Sequence, residues 1–476
     1  MKPRLSFLLS FSEKYTLLVL NTASAMVLAR WLTPAEVGVY AVGAVLVGLV
    51  QVLRDFGVGA YVIQEKTLDR QKLRAALGVN MLIAWTLAAL VLAGGYPAAW
   101  FYHEPRLRIM LQLLAINFLL VPFSAVALPY LRRLMRFRAV FAINVSQCAA
   151  QAGCSVLLAM SGWGYLSLAM GAVAGAAATL LATTCCRPAD MPWLPSWRGA
   201  RAVLSFGAVS TAGTLIDEAG VAAPDLIIGK MAGVAEVGIY GKAMGVINVF
   251  NQLVTAAISP VIFPLFSAQA RGGGDLRQVY LTTVSHMTAL SLPFFGFVAL
   301  MAQPLVRLLY GDQWDAAVPL IRVICIGSAL YSLFSMARYL FVAMGEVRAQ
   351  ARLDAQAVPV RVLAVLAAAP FGLYWVGWAV VAGALFRSGL TYVYLRQLTG
   401  LRLRDLAAAS WRSALAAGAA LGGAAAAARF GHPGTPLLWA ALAGFLFWLA
   451  AMRSLRHALA DECTLAARKA MALLHR

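Results

Sequence analysis

The sequence predicts an all-α integral membrane protein of about fourteen transmembrane helices, with two parallel-repeat six-helix lobes and a C-terminal helix pair. Three observations predict this fold class: the apolar composition, the regular succession of apolar segments, and an internal repeat. Hydrophobic residues make up 62% of the chain and charged residues 12%, whereas a soluble domain is about half apolar and a quarter charged. The composition therefore predicts a membrane protein and leaves no room for a soluble domain.

Segments of roughly twenty apolar residues, the length that crosses a hydrocarbon core of about 30 Å, follow one another with short connections. We expect them to be helical, because lipid offers no partner for an unpaired backbone amide. The predicted spans are residues 15–33, 36–53, 76–98, 109–130, 139–160, 163–186, 203–228, 236–264, 279–302, 316–343, 355–371, 373–395, 407–428 and 436–454.

The formal net charge of +20 does not indicate nucleic-acid binding here. Lys and Arg cluster in alternate connections, as the positive-inside rule requires, and this distribution places both termini in the cytoplasm. One such cytoplasmic cluster is Arg132, Arg133, Arg136 and Arg138. The six cysteines have no metal-ligand spacing, so we predict no metal site and no cofactor. The glycine-rich turn at 272–275 has no strand or Walker pattern around it. Without a nucleotide site, energy is expected from an ion gradient or the substrate gradient.

The stretch AEVGVY, Ala35–Tyr40, recurs as AEVGIY, Ala235–Tyr240. The copies join span 1 to span 2 and span 7 to span 8, and because this offset of six helices is even, the repeat is parallel. It predicts an N-lobe at residues 1–200, a C-lobe at 201–400, and a terminal helix pair with a cytoplasmic tail at 401–476. We favour a structural role for the motif, with Pro34 and Gly38 in a tight turn. Glu36 and Glu236 would then begin the following helices, where negative charge is favoured.

Five further stretches extend this pattern. They are LARWLTPAEVGVYAVGAVL, LRDFGVGAYVIQEK, IIGKMAGVAEVGIYGKA, SPVIFPLFSAQ and LVRLLYGDQWDAAVPLIRV. From about residue 5 to residue 400 the sequence resembles the polysaccharide-transporter branch of the multidrug/oligosaccharidyl-lipid/polysaccharide flippase superfamily, the Wzx-type flippases. The resemblance implies a transporter and not an enzyme. Its substrate would be an undecaprenyl-pyrophosphate-linked oligosaccharide, moved across the bacterial inner membrane by a central cavity that opens alternately to either side. Membrane lipid and a polysaccharide polymerase are the implied partners.

Ionisable residues within or at the edge of spans are candidates for the site, because each is costly unless it faces protein or water. Cations suit the diphosphate, Arg through a planar fork and Lys as a point charge. The candidate set is Lys14, Arg54, Lys242, Arg338 and, less favoured, Arg387. The alternative for each is a side chain that extends its charge to the membrane interface.

Polar residues on spans 1 and 7 complete the predicted site. Lys14, Asn21 and Ser24 share one face of span 1 and are expected to line the cavity, the alternative being a polar stripe between helices. On span 7 we assign ion coupling to Asp217, Glu218 and Asp225. Gly220 and Pro224 would bend or break that helix, as in other transporter sites. The alternative is a structural pair between one of these carboxylates and Lys242 or Arg338. Trp163 and Trp314 are expected at the membrane interface.

Three other functions compete with the flippase. A membrane enzyme of polysaccharide synthesis would need a large external loop, and the longest predicted outward connection has roughly a dozen residues. A multidrug or cation antiporter of the same superfamily would favour a cavity dominated by carboxylates, whereas this sequence favours Lys and Arg. A peptidoglycan-precursor flippase would share the mechanism.

Overall fold

The computed structural model describes residues 3–188, 190–192, 194–430 and 436–460. Within these ranges the chain is helical, with no strand, so the predicted all-α class is confirmed. The chain divides into two compact units. Unit 1 comprises Met1–Gly241 and Leu309–Gln313, and unit 2 comprises Lys242–Leu308 and Trp314–Arg476.

Unit 1 contains nine helices and the start of a tenth in the described ranges. They are α1 (Pro3–Trp31), α2 (Pro34–Asp55), α3 (Val58–Gln64), α4 (Arg70–Tyr102), α5 (Arg106–Leu120), α6 (Pro122–Arg133), α7 (Phe137–Met160), α8 (Leu166–Cys185), α9 (Ala200–Met231) and the first half of α10 (Val234–Phe250). Its buried core includes Val62, Leu77 and Val126, where α3, α4 and α6 pack together.

Unit 2 contains the rest of α10 and the remaining described helices. They are α11 (Ala256–Arg271), α12 (Leu276–Leu300), α13 (Ala302–Leu309), α14 (Ala317–Tyr331), α15 (Ala337–Ala343), α16 (Val347–Ala368), α17 (Leu373–Thr399), α18 (Leu403–Phe430) and α19 (Pro436–Ser454). A π-helical turn, Asn251–Thr255, joins α10 to α11.

A helix or a pair of consecutive helices lies at each of the fourteen predicted spans in the described chain. Among the described residues, eight helices are long and apolar enough to cross a membrane, or up to ten if each bent pair is one span. The protein is therefore a multi-pass membrane protein, while fourteen crossings stays a prediction.

The first repeat copy shows how the sequence begins a helix. The Glu36 amide donates to Thr33 Oγ1 at 3.3 Å, and the Thr33 amide donates to Glu36 Oε2 at 2.9 Å. This capping box, with Pro34 in the first turn, fixes the start of α2. Glu236 also lies in the first turn of α10. The predicted placement of both glutamates is confirmed.

Helix breaks occur where the sequence analysis did not place them. α2 ends because Phe56 (φ 35°) and Gly57 (φ 64°) adopt left-handed backbone conformations. α5 and α6 meet at a 50° bend, next to Pro122, which has no amide to donate. In contrast, α9 runs uninterrupted through Gly220 and Pro224, so no break exists there. Proline is tolerated in such helices when neighbouring groups satisfy the released carbonyl.

Candidate functional site: a polar cavity in unit 1

A cavity of about 680 Å³ lies within unit 1. Its wall is formed by α2 and α4 to α8, together with the residues that follow the end of α2. The left-handed break after α2 and the bend between α5 and α6 both contribute to this wall. The cavity follows α2 from Tyr40 to Asp55, a distance of about 22 Å at 1.5 Å per residue.

Two arginines and one carboxylate mark one end of the cavity. Arg54 and Asp55 come from the last turn of α2, and Arg132 comes from the last turn of α6. Arg54 Nη2 lies 2.6 Å from Asp55 Oδ1, and its guanidinium carbon lies 5.7 Å from the centroid of the Phe118 ring. Only 11% of the Arg54 side chain is exposed, against 65% for Asp55. Asp55 therefore already neutralises much of the Arg54 charge.

Arg132 provides the less compensated positive charge. Its side chain is exposed and lines the cavity, and no carboxylate in the described ranges forms an ion pair with it. A guanidinium group in this setting can donate two parallel hydrogen bonds to a phosphate. The arginine end is therefore suited to an anion.

Uncharged polar side chains line much of the remaining wall. The amides are Gln51, Asn80, Asn117, Gln147 and Gln151, and the hydroxyl groups are Tyr40, Ser124 and Thr179. Asn80 is fully buried and Asn117 is 8% exposed. The side-chain oxygen of each has no hydrogen-bond partner among the described residues. Asn80 Nδ2 donates to the Arg54 carbonyl at 3.3 Å, which fixes the orientation of this amide.

The predicted polar face of α1 does not belong to this cavity. Lys14, Asn21 and Ser24 are absent from its wall, and Lys14 and Asn21 are exposed. Cys148 Sγ on α7 lies 3.4 Å from Asn21 Oδ1 and donates to it. This contact favours the alternative reading, a polar stripe between helices.

The carboxylates on α9 have different surroundings. Glu218 is exposed and Asp225 is partly buried, and neither lines the unit 1 cavity. The side chain of Asp217 lies outside the described part of the chain. Ion coupling by these three residues stays a prediction.

Three of the predicted cations belong to unit 2. Lys242 Nζ lies 5.1 Å from the centroid of the Trp314 ring. Trp314 is fully buried, so its side chain packs inside the protein, whereas Trp163 is 52% exposed. Arg338 is exposed.

Arg387 forms an ion pair in unit 2. Its Nη2 lies 2.6 Å from Asp354 Oδ1, and the two side chains are 25% and 16% exposed. Gln350 Nε2 on the same helix as Asp354 donates to Asp354 Oδ2 at 2.8 Å. An anionic ligand would have to compete with Asp354 for this guanidinium group.

Residues 27–319 match a family described as polysaccharide biosynthesis protein. This match covers more than half of the chain. The chain belongs to that family. The predicted resemblance to polysaccharide transporters is thus confirmed.

Two curated relatives are similar to this family member over part of their length. It is similar to the teichuronic acid biosynthesis protein TuaB of Bacillus subtilis, with 22% identity over 309 residues, covering 62% of this chain and 62% of TuaB. It is also similar to the lipopolysaccharide biosynthesis protein WzxC of Escherichia coli, with 23% identity over 334 residues, covering 69% of this chain and 67% of WzxC. The match therefore spans less than two thirds of TuaB.

The fold of this family member is similar to a solved structure of the lipid II flippase MurJ in an inward closed conformation. The TM-score is 0.75, with 95% of this chain and 99% of that chain covered at 11% identity. At such low identity the likeness shows the fold alone. This chain therefore has the fold of that structure.

Sequence reasoning found only Arg54 among the polar residues of the cavity wall. It assigned Arg132 to the cytoplasmic charges that orient the chain, and the one amide that it placed in the cavity was Asn21. One signal was available. Gln147 and Gln151 are four residues apart in the predicted span 139–160, a spacing that places both on one helical face.

Proposed function

We propose that this protein is a flippase that translocates an undecaprenyl-pyrophosphate-linked oligosaccharide across the bacterial inner membrane for export of a cell-surface polysaccharide. The observation that supports the proposal best is the unit 1 cavity, which combines two arginines at one end with amides and hydroxyl groups along its wall. A diphosphate requires the first kind of group and a sugar the second. Both termini would be cytoplasmic, and an ion or substrate gradient would drive transport.

Alternating access would involve the two lobes predicted from the repeat, residues 1–200 and 201–400, with residues 401–476 outside them. Arg54 and Arg132 would contact the diphosphate. Lys14, Lys242, Arg338 and Arg387 remain further candidates, although the Asp354 ion pair makes Arg387 the weakest of these. A polysaccharide polymerase acting on the translocated product would be a partner.

Ion coupling at Asp217, Glu218 or Asp225 is a separate part of the proposal. The Asp217→Asn, Glu218→Gln and Asp225→Asn variants should each be assayed for transport across a range of pH. Loss of activity or a changed pH profile is expected in at least one variant. Full activity with an unchanged profile in all three would exclude coupling at these positions.

A cation antiporter is the main competing function. The unit 1 cavity argues against it, because its wall contains one carboxylate, Asp55, and that carboxylate already pairs with Arg54. A cationic drug would meet two guanidinium groups and no unpaired carboxylate on the described wall. The same geometry is compatible with a peptidoglycan precursor, which also carries a diphosphate.

The test is transport in proteoliposomes that contain the full chain. The probe is an undecaprenyl-pyrophosphate-linked disaccharide with terminal galactose, and transport is the fraction that external galactose oxidase oxidises over time. Arg132→Gln should slow the oxidation of the transported probe by about tenfold. This is the effect of losing a charge-assisted hydrogen bond that contributes roughly 1.4 kcal/mol. Arg136→Gln, an exposed arginine in the same basic cluster but off the cavity wall, is the matched control.

Two results would contradict the proposal. The first is transport of the probe by wild-type protein no faster than in empty vesicles, and the second is an equal transport rate for Arg132→Gln and Arg136→Gln. A parallel experiment with lipid II as the probe distinguishes the peptidoglycan-precursor function. Uptake of a cationic dye without transport of either lipid would favour the antiporter.

A further inference from the structure

Gln147 and Gln151 occupy a different level of the unit 1 cavity from Arg54 and Arg132. Arg54 and Arg132 lie in the last turns of α2 and α6. The short turn after α6 leads directly into α7, so the start of α7 lies at the same end as Arg132. Gln147 and Gln151 are then about 15 and 21 Å along α7 from its first residue. The glutamine level is therefore separated from the arginine level by more than the length of one sugar ring.

The glutamine level has space for a ring. α8 faces it with the small residues Ala172 and Ala176. At Gly175 an added Cβ would lie 3.0 Å from Gln151 Cβ and 3.3 Å from Gln151 Oε1, so the absence of a side chain there accommodates Gln151. The described wall has no charged side chain at this level.

The amides of the wall have hydrogen-bonding capacity that the protein does not use. The side chains of Gln147 and Gln151 are partly buried and have no partner among the described residues. The buried oxygens of Asn80 and Asn117 likewise receive no hydrogen bond. Buried polar atoms are nearly always paired, and a carbonyl oxygen can be satisfied only by a donor. Hydroxyl groups of a sugar supply such donors.

We infer that the cavity holds the two parts of its ligand at different levels, the diphosphate at Arg54 and Arg132 and an uncharged, hydroxyl-rich sugar at the level of Gln147 and Gln151. The inference rests on the proposed function and adds the class of sugar next to the diphosphate. A uronic acid would bring a carboxylate to a level without a cation, so it would bind more weakly. Asn117, Gln147 and Gln151 would determine this specificity.

Binding of three short lipids to the full chain in nanodiscs tests the inference. The probes are farnesyl diphosphate, the same lipid carrying glucose, and the same lipid carrying glucuronic acid. Wild-type protein should bind the glucose lipid most tightly. Gln147→Leu and Asn117→Leu should each weaken glucose-lipid binding by about five- to tenfold, the loss of a net hydrogen bond. Binding of farnesyl diphosphate should change by less than about twofold, which also shows that the variants are folded.

Two variants serve as controls. Gln112→Leu removes an amide from α5 outside the cavity and should leave binding of all three lipids unchanged. Arg132→Gln should weaken all three alike. Equal wild-type affinity for the two sugar lipids would overturn the inference. Equal weakening of the binding of all three lipids by Gln147→Leu and Asn117→Leu would also overturn it. In both cases the proposed function would stand. If wild-type protein binds none of the lipids, the proposed function itself fails.

Discussion

Gly38 and Gly238, the equivalent glycines of the two repeat copies, lie at a contact where each helix reaches the backbone of the other. A Cβ on Gly38 would overlap the Val234 carbonyl, and a Cβ on Gly238 would overlap the Pro34 carbonyl. Gly38 lies inside α2, so its predicted place in a tight turn was wrong. Both glycines instead allow close approach of two helices, as small residues do in membrane proteins.

Alanine at either glycine should lower the melting temperature of the purified protein. The added methyl group meets backbone, which cannot rotate away, and such overpacking costs about 1–3 kcal/mol. Gly48→Ala and Gly241→Ala are matched controls on the same two helices, because no atom lies within 4 Å of their added Cβ. The controls should be neutral or slightly stabilising. Equal melting temperatures for all four variants would show that the contact does not constrain the fold.

Helix positions could be predicted because they depend on local composition. Runs of apolar residues coincide with helices along the described chain, and the Thr33 and Glu36 capping box could be recognised from residues three apart. The polar stripe of α1 was likewise evident from helical spacing. Its contact with Cys148 on α7 was not, because a single sequence contains no information on which helices are neighbours.

The cavity could not be predicted, because its wall comes from seven helices, α2 to α8, that are spread over residues 40–179. Its shape also depends on helix breaks with weak local signals, such as the left-handed Phe56. Arg132 illustrates the difficulty. A cytoplasmic arginine that orients the chain and one that lines a cavity have the same sequence context, and only the packing of α6 distinguishes them.

The ion pair between Asp354 and Arg387 should contribute more to the stability of the folded protein than the ion pair between Asp315 and Arg307. Both pairs are short, at 2.6 and 2.5 Å, but the side chains of the second are 35% and 53% exposed. Asp354→Asn leaves a largely buried guanidinium without its counter-charge. It should therefore lower the melting temperature more than Asp315→Asn, because exposed pairs contribute little.

A double variant separates the pair interaction from other effects. Asp354→Asn combined with Arg387→Gln should recover part of the lost melting temperature, because the uncompensated charge is then removed. If the double variant is as unstable as the sum of both single variants, the two side chains do not stabilise each other.

Arg133 should stabilise α3 through the carbonyls at its C-terminal end. Arg133 Nη1 donates to the carbonyls of Val62 at 2.9 Å and Glu65 at 2.5 Å, groups that have no partner within a helix that ends there. Arg133→Ala should raise the rate of amide hydrogen exchange in residues 58–66, measured by mass spectrometry. Arg136 makes no such side-chain contact in the described chain, so Arg136→Ala should leave the exchange rate unchanged. Equal exchange rates in both variants would show that Arg133 does not stabilise α3 and serves only as a cytoplasmic charge that orients the chain.

The Glu104 carboxylate should make stability depend on pH at the connection between α4 and α5. Arg106 Nε and Nη2 donate to its two oxygens, each at 2.8 Å. These hydrogen bonds lower the pKa of Glu104, and partial burial opposes the shift. Because the folded state has the lower pKa, the stabilisation is complete above the unfolded pKa of about 4.3 and is lost as pH falls through the folded value.

Glu104→Gln should therefore melt at a lower temperature than wild type at pH 7, and the difference should shrink as pH is lowered from about 5 to 3. Melting curves of detergent-solubilised protein across this pH range measure the difference in melting temperature. In an Arg106→Gln background the same substitution should have a smaller effect at pH 7, because the partner that lowers the Glu104 pKa is gone. A difference between wild type and Glu104→Gln that stays constant with pH would show that Arg106 does not stabilise the carboxylate form in the folded protein.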